Sequence, residues 1–325
     1  MVRRGSPPVL GVAPALGLPL LLLLLVLVLA ACKQIQAPPP QAAASPAQAT
    51  GAYVGAETCK ACHEPVDAKF AATKMGRLFL NHPRNEKERL GCETCHGPAK
   101  AHVESGGGKG VGGMISFSKK DPTPVEQRNA VCLQCHERTA RLFWQGSPHE
   151  SRDVACTNCH TVMQNVSPKF QLAKSSVLET CGQCHIDKRA AQQRSSHMPL
   201  REGKMTCTSC HNPHGSVTPA LLKENSVNET CYTCHAEKRG PFLWEHAPVP
   251  ESCANCHEPH GSNNEKMLKV GRPRLCQQCH VETRHPTSPY GTDTASLKFV
   301  LGRSCLNCHV TIHGSNHPSG FAFER

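Results

Sequence analysis

Ten times in this chain two cysteines stand three residues apart with a histidine directly after the second. The sets are Cys59-Cys62-His63, Cys92-Cys95-His96, Cys132-Cys135-His136, Cys156-Cys159-His160, Cys181-Cys184-His185, Cys207-Cys210-His211, Cys231-Cys234-His235, Cys253-Cys256-His257, Cys276-Cys279-His280 and Cys305-Cys308-His309. In one helical turn, positions i, i+3 and i+4 share a face. Two thiols so placed can form thioethers to the two vinyl groups of one haem, and the histidine then meets the iron from the same side. Zinc would need five four-cysteine sites and would leave ten histidines without a role. A disulfide scaffold ignores the same histidines. Repetition decides the matter, since a lone Cys-x-x-Cys is equally a redox or zinc motif. The expected cofactors are ten covalent haem c groups with their irons.

Each iron then needs a second axial ligand. Twenty histidines are present, and ten lie outside the motifs: His82, His102, His149, His197, His214, His246, His260, His285, His313 and His317. The equal count points to bis-histidine ligation, which gives low-spin haems closed to substrate. A pattern complicates it. His211-Asn-Pro-His214-Gly-Ser and His257-Glu-Pro-His260-Gly-Ser repeat, and His309-Val-Thr-Ile-His313-Gly-Ser varies them by one residue. At His160-Thr-Val-Met163, methionine stands where the pattern expects histidine. A thioether is a competent ligand and raises the reduction potential, but methionine is equally a gap-filler of interiors. Met163 is therefore a candidate ligand with both readings open. Either His82 or Met75 serves an early haem. His317, close to the C-terminus, and His102, ahead of Gly106-Gly107-Gly108, fit the pattern least well.

These ligands must be positioned by very little chain. From Cys132 to Cys276 the motifs recur every 22 to 26 residues, which marks a repeat. That leaves room for a short helix bearing each motif, a loop, and little else. Aromatic residues make up only 4% of the chain, too few for an ordinary core of this length. The expected fold is a multihaem cytochrome c: short α-helices and loops packed around ten covalent haems, elongated, with almost no β-sheet. The formal charge of +11 would otherwise point to nucleic acid. With Arg3 and Arg4 removed, and about −1 added by each ferric haem with its propionates, the protein falls to roughly −1, so the basic residues pair with propionates.

The N-terminus opens with Arg3 and Arg4, continues in an apolar run densest from Leu16 to Ala31, and reaches Leu29-Ala30-Ala31-Cys32. This has the form of an export signal ending in a lipobox. Residues 1–31 are the expected signal peptide and Cys32 the expected lipidation site. An uncleaved anchor is opposed by Pro14 and Pro19 within the run. Lys33 in place of aspartate favours the outer membrane over the inner. Residues 32–52, rich in Ala, Pro and Gln, form the expected tether.

The run Ser226-Val-Asn-Glu-Thr-Cys231-Tyr-Thr-Cys-His-Ala-Glu-Lys-Arg-Gly-Pro-Phe-Leu-Trp244-Glu-His246 closely resembles the MtrA/DmsE-type periplasmic decahaem cytochromes. So do Leu275-Cys-Gln-Gln-Cys-His280 and His313-Gly-Ser-Asn-His-Pro-Ser-Gly320. The resemblance implies two pentahaem modules in line, 53–200 and 201–325. It implies insertion in an outer-membrane β-barrel partner, with electrons passing between periplasmic carriers and an extracellular cytochrome, reductase or mineral. The lipobox and Met163 depart from the family's pattern. Two alternatives follow from the residues: a lipid-tethered periplasmic carrier or store, and a multihaem reductase. The reductase would need a haem with an open face, and no motif replaces its histidine with lysine.

Overall fold

In a computed structural model the described residues are 53–280, 305–318 and 320–323. The signal and tether readings, with Cys32 and His285, fall outside them.

The motifs alternate between two local structures. The first cysteine of each odd-numbered motif lies in a helix: Ala56–Ala71, Val125–His136, Val177–Cys181, Val227–Tyr232 and Arg274–Gln277. Two of these start on a Ser-x-x-Glu signal. The hydroxyls of Ser176 and Ser226 accept the Glu179 and Glu229 N–H at 3.1 and 3.0 Å, satisfying amides that a helix start leaves orphaned. Even-numbered motifs occupy single turns instead: Glu93–His96, Cys156–Cys159, Cys207–Cys210, Cys253–Asn255 and Cys305–Asn307. The repeat is thus two motifs long, not one, and the even motifs carry less helix than their spacing predicts.

A short returning loop closes three of the even turns. His160, His211 and His257 form isolated antiparallel bridges with Leu172, Leu222 and Leu268. Just before each bridge the backbone is left-handed without glycine, at Phe170-Gln171, Ala220-Leu221 and Lys266-Met267. Such conformations cost about 1–2 kcal/mol per residue. They persist here because the amides of Thr161, Asn212 and Glu258 are taken up by the carbonyls of Gln171, Leu221 and Met267 at 2.7–2.8 Å. Among the described residues these bridges, with Ser196–Ser262 and Trp244–Ser315, are all the β-structure found.

Buried asparagines join odd to even motifs. Asn129, three residues before Cys132, donates to the Val154 carbonyl and accepts the Cys156 N–H at 2.8 Å. Asn228, three residues before Cys231, does the same with Val249 and with the Cys253 N–H at 2.6 Å. Replacing Asn228 by alanine orphans a buried amide, which costs about 1–3 kcal/mol. Asn228→Ala is expected to lower the denaturant midpoint, and so is Asn228→Asp, which keeps the acceptor for Cys253 but sets a carboxylate oxygen against the Val249 and Pro250 carbonyls. Equal midpoints for wild type and Asn228→Ala would remove the clamp from the account.

The apolar core is thin. Buried hydrophobic residues among those described are Phe70, Phe79, Trp144, Leu172 and Leu268 with three alanines, while Leu142, Phe170, Val217, Leu243 and Phe321 are each more than 60% exposed. Side chains alone do not supply the burial that a chain of this length needs. No described helix is long and apolar enough to cross a membrane.

Candidate haem-binding site

Six motif histidines face a histidine from outside the motifs across a gap of one size. Ring centroids lie 6.4 Å apart for His63–His102, 6.0 Å for His160–His214 and 6.1 Å for His211–His260. They lie 6.0 Å apart for His246–His280 and 6.2 Å for His257–His313. These five pairs are within 20° of parallel, and the sixth, His149–His185, is 6.1 Å apart and crossed at 69°. Rings in direct stacking contact would sit closer, at about 4.5 Å for the nearest aromatic pairs. A metal about 2 Å from an imidazole nitrogen on each side sets the centroids about 6 Å apart. A gap of this width would let the two imidazoles of each pair hold one iron between them.

The tautomers agree. Nδ1 of His96, His160, His211 and His257 stands 2.7–2.9 Å from the carbonyls of Ile115, Phe170, Ala220 and Lys266. His309 meets the Ala322 carbonyl in the same way. A carbonyl only accepts, so the proton is on Nδ1 and Nε2 keeps its lone pair for a metal. Among the facing histidines, His102 and His149 donate to the Val111 and Pro213 carbonyls at 3.1 and 2.7 Å. His260 Nδ1 lies 3.0 Å from the Glu258 carboxylate. Such partners orient a ligating imidazole and raise its basicity. The left-handed Phe170, Ala220 and Lys266 are therefore also the residues whose carbonyls aim His160, His211 and His257. Burial, with His160 opposite, holds His214 down to about 4, and burial likewise lowers His211, His246 and His313, so these rings are neutral at pH 7.

The cysteines form a continuous series. The first thiols of paired motifs adjoin closely enough to perturb each other: Cys59 with Cys92, Cys132 with Cys156, Cys181 with Cys207, Cys231 with Cys253, and Cys276 with Cys305. A hydrogen bond from Cys181 draws Cys207 down to about 7, while burial pushes Cys92 up to about 11. Second thiols adjoin between pairs: Cys95 feels Cys135, Cys159 feels Cys184, Cys210 feels Cys234, and Cys256 feels Cys279. Every motif thus lies near the next, through alternate cysteines. None of the described cysteines is in a disulfide.

The surroundings fit haem as well as its iron. Arg128 Nε, Gln171 Nε2 and Trp244 Nε1 are buried donors with no protein acceptor, a cost that carboxylate-bearing propionates would relieve. A cleft of about 460 Å³ beside His313 is lined by Tyr232, Arg239, Phe242 and Val249.

Other expected ligands are placed differently. Among the described residues His136 and His235 have no facing ring, and His96 meets the edge of Phe117 at 5.5 Å. His197 donates to the Arg194 carbonyl, and its other nitrogen lies 3.1 Å from Glu202, whose carboxylate raises its pKa. His82 is exposed next to Arg84, which lies near Cys135 of the third motif. Met75 sits in the turn Lys74–Gly76, and His317 lies in the C-terminal loop. His102, which stands apart from the sequence pattern, faces His63 because its carbonyl accepts the Gly107 amide at 2.8 Å and the glycine-rich run folds around it. Sequence reading missed the clamping asparagines, although each stands three residues before a cysteine.

The chain is 41% identical to the multiheme cytochrome MtrA of Shewanella baltica over 277 residues, covering 83% of this chain and 81% of that protein. It belongs to the MtrA family of multihaem cytochromes. Two family models agree: a doubled CXXCH motif over 197–240 and 246–285, and a cytochrome c-type protein NrfB-like model over 92–184. Over 137 residues the chain is 29% identical to the cytochrome c-type protein NrfB of Haemophilus influenzae, covering 38% of this chain and 57% of that protein. It is also 23% identical to the C-type polyheme cytochrome OmcB of Geobacter sulfurreducens over 51% of this chain and 21% of that protein. As an MtrA-family member the chain binds haem c through its Cys-x-x-Cys-His motifs and is an electron-transfer protein rather than an enzyme.

Proposed function

We propose that the chain holds ten haem c groups, one per motif, and conducts electrons across the outer membrane inside a β-barrel partner. Periplasmic carriers would lie at one end. An extracellular acceptor or donor, such as a metal oxide, ferrous iron or a partner reductase, would lie at the other. The observation that carries this reading is the unbroken series of neighbouring motif cysteines from Cys59 to Cys305. Haems hung on such a series have adjoining edges, so an electron need never leave the chain. Two pentahaem modules, 53–200 and 201–325, would be successive stretches of this one series, continuous where Cys181 meets Cys207.

The axial pairs proposed are the six facing ones. They follow two rules. A histidine just past an even motif serves the previous even motif, as His214, His260 and His313 do for His160, His211 and His257. A histidine seven to ten residues before an even motif serves the next odd one, as His149 and His246 do for His185 and His280. The second rule assigns His82 to His136 and His197 to His235, the latter once Glu202 gives way. His285 or His317 remains for His309.

The test is a liposome enclosing a soluble reductant, with the chain and its barrel partner in the wall. Oxidation of the enclosed reductant by an impermeant external acceptor is expected only when both proteins are present. A second reading, a lipid-tethered periplasmic carrier or store, rests on Leu29-Ala30-Ala31-Cys32 and the tether after it. No flux in that assay, with fast exchange to small soluble donors, would favour it.

A further inference from the structure

We infer that Met163 is the axial ligand opposite His96, so that the second-motif haem is a His/Met haem in a chain of bis-histidine ones. This rests on the ten-haem reading above and specifies one of its sites.

The loop after each even motif docks on the segment that follows the odd motif three earlier. Asn212 donates to the Ala140 carbonyl at 2.8 Å. His260 and Gly261 offer their carbonyls to Gln192 and Arg194 at 2.7 and 2.9 Å. Ser315 bridges Trp244. The loop after the fourth motif does likewise, with Asn165 donating to the Ala72 carbonyl at 2.9 Å. Ala72 lies nine residues past His63, as Arg194 and Trp244 lie nine past His185 and His235. The fourth-motif loop is also built like its counterparts, with His160 bridged to Leu172 and aimed by Phe170.

In the three later docked loops the residue three or four past the motif histidine faces the histidine of the preceding even motif. For His211, His257 and His309 it is His214, His260 and His313. For His160 it is Met163, and the preceding even motif is the second, with His96. Met163 is not needed at its own motif, because His214 already faces His160 at 6.0 Å. His96 has its Nδ1 proton fixed by the Ile115 carbonyl at 2.8 Å, and among the described residues its ring meets Phe117 edge-on at 5.5 Å but no imidazole. The thioether of Met163 is the metal-binding group that this register brings to it, and thioether sulfur is an established haem ligand.

The experiment uses the full-length chain with its haems attached, after mass spectrometry has counted ten and located one on the Cys92-Cys95 peptide. Near-infrared magnetic circular dichroism separates His/Met from His/His ferric haem by its charge-transfer band. One haem in ten is expected to give the His/Met band. Met163→His should convert it to His/His without loss of haem, and Met163→Ala should give one high-spin haem. Met75→Ala should leave the band. A wild-type spectrum of His/His haems only would overturn the assignment, as would a band that survives Met163→His or vanishes in Met75→Ala. A haem count below ten would instead refute the reading beneath it.

Discussion

Removing the fifth-motif attachment by Cys181→Ala/Cys184→Ala is expected to abolish electron flux through the chain while leaving most of its haem in place. Cys181 adjoins Cys207 of the next motif, and Cys184 adjoins Cys159 of the motif before. The fifth site is therefore a link with one neighbour on each side. Direct tunnelling across the missing link would have to span the room of a whole haem. Mass spectrometry should show the loss of one haem, and the liposome assay should fall to its protein-free background. A carrier or store behaves differently, since it loses only one tenth of its capacity and still exchanges electrons at its remaining haems. Wild-type flux in the double variant would thus refute the wire, whatever the haem count. If the variant assembles poorly, His149→Met keeps the haem and shifts only the potential opposite His185. Slowed flux is again expected, and an unchanged rate would count against the single-file path.

Much of the site could be read directly from residues. Thioether attachment and the first axial ligand are local, within one turn of chain, so Cys-x-x-Cys-His states both. The second ligand proposed for each iron is not local. His214 stands 54 residues past His160, and His102 is 39 past His63. No helical or strand period connects them; the pairing is set by loop docking such as Asn212 on Ala140. A histidine count can match ligands to irons in number without saying which meets which. The two-motif repeat was hidden for a related reason. Cysteine spacings are nearly uniform from Cys132 to Cys276, although the backbone alternates between helix and bridged turn. The signal lay in residues around the motifs: Ser176 and Ser226 before odd ones, Leu172, Leu222 and Leu268 after even ones. The thin core was foreseeable from the scarcity of aromatics, because haem takes the place of the missing side chains.

His214→Ala is expected to open one haem in the middle of the chain, and His214→Met to turn that haem into a trap. The geometry is the reason for both. His160 is held by the Phe170 carbonyl and faces His214 at 6.0 Å and 12°, with Trp144 6.5 Å from the His214 ring. Alanine removes one of two axial imidazoles and puts no donor in its place. One haem in ten should become high-spin and bind carbon monoxide, and added imidazole should restore the low-spin signal. Methionine keeps six-coordination but raises the potential, within the span of about 0.8 V that axial ligands cover across haem proteins. For one electron 59 mV is a factor of ten. A rise of about 120 mV therefore puts the next hop uphill by about a hundredfold in equilibrium, and flux should fall by up to that factor. His/Met ligation at the second motif, as inferred for Met163, has only the first haem beyond it in the series. The same ligation at His160 sits between equal neighbours and must be climbed out of by every electron. Potentiometry on His214→Met should resolve one more high-potential haem than in wild type. A titration identical to wild type would show that His214 does not ligate the haem of the fourth motif.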